Sequence, residues 1–195
     1  MTDPSPLVAT DRLLAFRAPA DPEDAYENRI HIPDADRHLA AWPKDAATFR
    51  RSFAGANLNL AYGSSKRTHY DLFTPKGGIE AACGLAAFVH GGYWVALSKD
   101  DFSHMAAGLL ARGWAVAILG YTLAPQARIT QITQEISTAV EHLGKTGNGP
   151  LRLIGHSAGG HLVSRMMCDD ISFGPVTTQR LDRVLSLSGL HDLRP

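Results

Sequence analysis

Leu151-Arg152-Leu153-Ile154-Gly155-His156-Ser157-Ala158-Gly159-Gly160-His161-Leu162 decides how this chain folds. Its first four residues are mainly apolar and read as a strand, and residues 157–167 read as a helix. Between them, Gly155-His156-Ser157-Ala158-Gly159 fits the pattern G-x-S-x-G. A strand that turns abruptly into a helix holds the serine in a strained conformation with its hydroxyl exposed, and small residues on either side let neighbouring backbone approach. The helix N-terminus beneath adds positive partial charge where negative charge would develop. The pattern alone is common, and its place between an apolar strand and a helix makes it specific. The bland alternative is a glycine-rich turn before an ordinary helix.

Upstream, residues 84–89 and 114–119 are continuously apolar, as strands buried on both faces are. Residues 184–188 are a weaker case. Helical segments fall between them. Phe102, Met105, Ala106, Leu109 and Leu110 share a face over residues 100–111, closed by Gly113. Ile129, Ile132, Ile136, Val140 and Leu143 form the next stripe, closed by Gly144. Strands alternating with helices imply βαβ units, hence an α/β fold with a mostly parallel sheet flanked by helices. Residues 57–62 and part of 69–73 alternate with period two and suit an exposed sheet edge. Before them, a helix is expected near Asp21-Pro22-Glu23, and another over residues 34–53 that Pro43 should break or kink. Residues 1–21 read as a loose arm, and residues 22–195 as one domain.

Composition narrows the function. The 195 residues are 45% hydrophobic and 19% charged, with zero formal net charge. That is a globular balance with no block of like charge to suggest nucleic acid or a membrane surface. Cys83 and Cys168 read as buried, reduced thiols, and no cysteine–histidine cluster suggests a metal. The N-terminus lacks a signal-peptide pattern, and no apolar run reaches a membrane span. A soluble, cytoplasmic protein is expected, acting on a small molecule without a cofactor; a homodimer is left open.

An acyl-transfer serine needs preorganised N–H donors for the oxyanion. Ala158 supplies one, and the loop Phe88-Val89-His90-Gly91-Gly92-Tyr93-Trp94 offers Gly91 and Gly92. His90 is read as a prop for this loop rather than as the general base. Tyr93 and Trp94 either line a substrate pocket or pack beneath it.

Together, His90-Gly91-Gly92-Tyr93-Trp94, Gly120-Tyr121-Thr122-Leu123-Ala124-Pro125, residues 155–162 and Ser188-Gly189-Leu190-His191-Asp192-Leu193 resemble the kynurenine formamidase (arylformamidase) branch of the α/β-hydrolases, close to the hormone-sensitive-lipase-like esterases. The resemblance runs from about Tyr26 to Pro195. It implies hydrolysis of an aryl formamide such as N-formylkynurenine, or of a small ester, through an acyl-enzyme on Ser157. It also implies no metal or organic cofactor.

The same resemblance exposes a gap. A serine nucleophile needs a histidine base and an orienting carboxylate, in the order serine, acid, histidine. After Ser157 only His161 and His191 remain, with Asp169, Asp170 and Asp182 before His191 and Asp192 after it. His161 should point away along its helix, and His191 is a poor substitute. The acid and histidine are therefore expected beyond Pro195, after further strands, with weak or absent hydrolysis from these residues alone. The edge near residues 184–188 would then be apolar and exposed. Two other readings stay open: a non-catalytic ligand- or partner-binding protein on the same fold, and a thioesterase.

Overall fold

The computed structural model describes residues 28–193. The helix expected near residues 21–23 lies outside them. The chain forms two compact units, residues 1–39 and residues 40–195. The described part of the first holds a short helix, α1 (Asn28–His31), where Arg29 pairs with Asp36. Helix α2 (Ala35–Ser52) follows and runs through Pro43 without a break. An interior proline costs a helix about 3 kcal/mol. Trp42, Phe49 and Phe53 belong to the second unit and pack on its sheet, and burial of such aromatic surface outweighs that cost.

That sheet has six strands in the order β1-β2-β4-β3-β5-β6, comprising β1 (Ala56–Ala61), β2 (His69–Phe73), β3 (Leu85–Val89), β4 (Ala115–Leu119), β5 (Leu151–His156) and β6 (Leu181–Leu187). The first pairings, β1 with β2 and β2 with β4, are antiparallel, and the rest are parallel. Of the two alternating segments, only β1 is an edge. Residues 70–73 of β2 are all buried, because β2 lies between β1 and β4. Its alternation reflects Asp71, a buried acid among apolar neighbours, rather than a face open to water.

Both faces of β3 and β4 are covered, which explains their unbroken apolar runs. Leu85, Ala87 and Val89 join one core with Ile132, Ile136, Val140 and Leu143 of α4 (Ile129–Gly144) and with Leu162 of α5 (Ala158–Arg165). Phe88, Val116 and Ile118 join the other with Phe73, Phe102 and the aromatics of α2. A short helix α6 (Pro175–Arg180) leads into β6. The four-residue helix α3 (Ala107–Leu110) precedes β4.

Residues 100–111 differ from expectation. They form two 3-10 turns, Lys99–Asp101 and Ser103–Ala106, before α3, with Phe102 off the helical conformation between them. The reason is tertiary. Lys99 is pulled into the interior to meet the fully buried Asp71 at 2.7 Å, and a Ser98–Asp101 capping box fixes that first turn. Phe102 is then drawn into the aromatic core while Met105 is left exposed. The cysteines also differ: Cys83 is exposed and Cys168 partly so. Cys83 precedes Gly84 at the open end of β3, where the chain enters the sheet from solvent. Among the described residues no helix is long and apolar enough to cross a membrane, and no cluster of three or more metal-ligating side chains occurs.

Candidate active site

In the strand order, β4 and β5 lie on opposite sides of β3, so the connections diverge there. Such a switch point leaves a crevice beyond the carboxyl ends of the strands. The register fills it with the motif residues. Val89 pairs with Gly155 in the parallel β3–β5 ladder, so two residues further on Gly91 meets Ser157. A side-chain carbon on Gly91 would sit 3.0 Å from Ser157 Cβ and 2.9 Å from the His156 carbonyl oxygen. Glycine is needed there for contact, since its φ is not left-handed.

Ser157 has φ 54° and ψ −118° at the junction of β5 and α5. A non-glycine residue in that region stores strain, and the surroundings must hold it. They do so through backbone. The Ser157 N–H donates to Leu187 O of β6 at 2.9 Å, and the His161 N–H donates to Ser157 O at 3.1 Å. A side chain on Gly155 would collide with the Gly159 carbonyl, and one on Gly159 with that of Val89. The helix can therefore start directly against the end of β3.

The loop after β3 is also strained: Gly92, Tyr93 and Trp94 all have positive φ, at 110°, 49° and 59°. The Gly92 carbonyl accepts from the N–H groups of Val95 (3.0 Å) and Ala96 (2.9 Å). The N–H groups of Gly91 and Gly92 donate to no partner among the described residues. Ala158 N–H, at the first turn of α5, has no carbonyl in its own helix to reach.

His90 fixes the carbonyl side of this loop. Its Nδ1–H donates to Gly91 O at 2.7 Å, and the buried Tyr121 hydroxyl donates to His90 O at 2.9 Å. Because C=O and N–H point oppositely across a trans peptide, gripping the two carbonyls turns the N–H groups of Gly91 and Gly92 the other way. The His90 ring stacks between Tyr121 (4.3 Å between centroids) and Phe102 (5.8 Å). Burial there pushes its pKa down to about 4, so the ring is neutral and its buried Nε2 has no partner. The loop after β4 is anchored in turn: Tyr62 donates to Gly120 O at 2.6 Å, and Glu135 of α4 accepts from Thr122 N–H and Oγ1–H, both at 2.7 Å.

Tyr93 and Trp94 part company. Tyr93 is 39% exposed, whereas Trp94 is 7% exposed with its ring edge-on to His161 at 5.3 Å. His161 is itself buried, its pKa lowered first by desolvation, so it packs under the loop. His191 is exposed, and its Nε2 lies 3.2 Å from Ser186 Oγ. Neither imidazole hydrogen-bonds to the Ser157 hydroxyl among the described residues. The nearby acids are engaged elsewhere, Asp170 with Arg165 and Asp182 with Arg152. Three features of the site escape sequence reasoning: the Tyr121 clamp, the Glu135–Thr122 brace, and His156, a half-buried neighbour of Gly91 whose pKa desolvation lowers. The only signal for the first two was the Gly120–Pro125 motif, which named the loop without its partners.

A mixed sheet flanked by helices, with G-x-S-x-G at the switch point, is the α/β-hydrolase fold. The BD-FAE family model matches residues 70–170, and the chain belongs to that family. Kynurenine formamidase of Salmo salar is 28% identical over 174 residues, 87% of this chain and 58% of the relative. The chain thus spans a little over half of that relative's length. A crystal structure from Silicibacter sp., provisionally described as a thioesterase, is 46% identical with TM-score 0.83, covering 88% of this chain and 64% of that one. Esterase B of Lactobacillus rhamnosis, at 22% identity and TM-score 0.53, shares the fold; the match covers 78% of this chain and 54% of that one.

Proposed function

We propose that the protein is a serine hydrolase of small carboxylic esters or aryl formamides, with Ser157 as nucleophile. The observation that carries this reading is the meeting of a strained Ser157 with the backbone of Gly91 across the β3–β5 register. Ser157 Oγ attacks the substrate carbonyl as its proton passes to a base. The resulting oxyanion is held by the N–H groups of Gly91, Gly92 and Ala158, each such donor being worth roughly 3–4 kcal/mol. Collapse of the tetrahedral adduct expels the alcohol or aryl amine, which takes up the proton. Water then releases the acid, formic acid for a formamide, and restores the serine.

The base and its orienting acid are assigned to residues outside 28–193, in keeping with the fraction of the Salmo relative that the chain spans. Tyr93, exposed beside the glycines, is the proposed contact for an aromatic substrate. Trp94 supports the wall from beneath. The name of the Salmo relative favours the formamide, and the description of the Silicibacter structure favours a thioester as second reading. Matched aryl formamide, ester and thioester substrates separate them by relative kcat/KM.

The first test is labelling with a fluorophosphonate, with Ser157→Ala as control. Labelling that vanishes in the variant shows an activated serine. A folded chain that stays unlabelled, both alone and when extended by the sequence following residue 195, leaves the non-catalytic binding protein as the better reading.

A further inference from the structure

A cleft opens at the same end of the sheet, across β3 from Ser157. Its volume is about 270 Å³, and its walls include Lys66, Arg67, His69, Ser98, Lys99 and Gly120, with no carboxylate among the lining residues. Three cations in one cleft are informative only if their charge is not already cancelled. For Lys99 it is: Asp71 and Asp100 each approach its Nζ at 2.7 Å. Asp101, the remaining nearby acid, is turned onto Ser98, accepting from its N–H at 2.8 Å and its hydroxyl at 3.1 Å.

Arg67 and Lys66 are different. Arg67 donates from Nε to Tyr121 O at 2.8 Å and from Nη2 to Leu97 O at 2.6 Å. Both acceptors are neutral carbonyls, so the guanidinium is fixed in place while its charge stays uncompensated. Among the described residues neither Arg67 nor Lys66 has a carboxylate within ion-pair distance. His69 adds an enclosed Nδ1 without a partner. A planar fork held rigid with donors to spare suits a carboxylate or a phosphate.

We propose that this cleft is a subsite for an oxyanion, a carboxylate or a phosphate, carried by the substrate. Gly120 follows β4, which stands two strands from β5, so at roughly 4.8 Å per strand the subsite lies about 10 Å or more from the reacting serine. An anionic group at that reach sits at the far end of a small substrate. The inference rests on the hydrolase reading for what carries the anion, though not for anion binding itself.

The test is titration with inorganic phosphate and, separately, acetate at constant ionic strength. The signal is the His69 ring resonance, identified with His69→Gln. A saturating shift is expected. Lys66 is exposed and makes no ion pair, so Lys66→Met should fold normally and bind about fivefold more weakly, the loss of one nearby surface charge. Arg67→Lys keeps the charge, loses the fixed fork, and should also bind more weakly. Saturation by phosphate alone points to a phosphate-bearing substrate, and saturation by both anions to a carboxylate; either supports the subsite. A shift that never saturates with either anion overturns it, as does unaltered affinity in both variants. Ser157→Ala should titrate like the parent. A chain that saturates but resists the fluorophosphonate, both alone and when extended past residue 195, loses only the hydrolase reading, and one that is labelled but does not saturate loses only the subsite.

Discussion

Strands β3 and β6 run parallel on either side of β5, yet they live in different solvents. Every residue of β3 is buried, while on β6 Leu185 is 50% and Leu187 39% exposed. Both are rich in leucine and valine or alanine. What separates them is cover, since β3 has partners on both edges and packed layers on both faces, whereas β6 ends the described sheet. Apolar sequence reports what a strand is suited to touch. It does not report whether that surface is covered in the chain at hand.

The contrast is easiest to break where β3 meets the elbow. Gly159→Val would drive a side chain into the Val89 carbonyl, and backbone gives way poorly. The expected loss is about 4 kcal/mol or more, enough to unfold a marginal domain, and urea denaturation reads it. If the variant keeps the parent midpoint, the close approach of α5 to β3 is not required.

Leu153 of β5 is buried beneath α4 and α5, so Leu153→Ala should cost about 2–5 kcal/mol by the same measurement. A cost below that range would mean the core collapses around the gap.

The third experiment varies pH. Burial holds the folded pKa of His90 at about 4 against an ordinary 6.5. The unfolded chain therefore binds the extra proton first, so this stabilisation is complete above pH 6.5 and is lost as pH falls toward 4. The size is on the order of 3 kcal/mol. His156 and His161, also lowered by desolvation, act in the same direction. In His90→Gln the dependence of stability on pH over that window should flatten. An unchanged slope would place the titration elsewhere.

The smallest effect belongs to β6. Leu185→Ser should change folding stability by less than about 0.5 kcal/mol, because the side chain is half in water. It should still reduce self-association in light scattering, since exposed apolar edges template pairing. A loss comparable to that of Leu153→Ala would show that something covers β6 in solution.

Much of this molecule was legible before its structure. The runs that became β3, β4 and β5, the isoleucine stripe of α4 and the turn at Ser157 each repeat a local rule several times within a few residues. Gly91 and Gly92 were legible as a stretch of backbone open to close approach, and Gly91 does lie against Ser157. Residues 100–111 depart from their genuine helical periodicity because Lys99 answers to Asp71, which lies 28 residues earlier in the chain. Pro43 leaves its helix unbroken for a similar reason, the helix around it being held by packing on the sheet.

The alternation of apolar strands with helices, the sharp turn at Ser157 and the glycines that let backbone approach it are written locally in the chain. These depend on periodicity and on φ, ψ and steric limits within a few residues. Long-range packing alone sets Val89 beside Gly155, brings the Tyr121 hydroxyl onto the His90 carbonyl, and leaves Arg67 with an uncancelled charge in a cleft. Each of those joins residues far apart in the chain, where burial and charge depend on which partner arrives, and no local pattern encodes the partner.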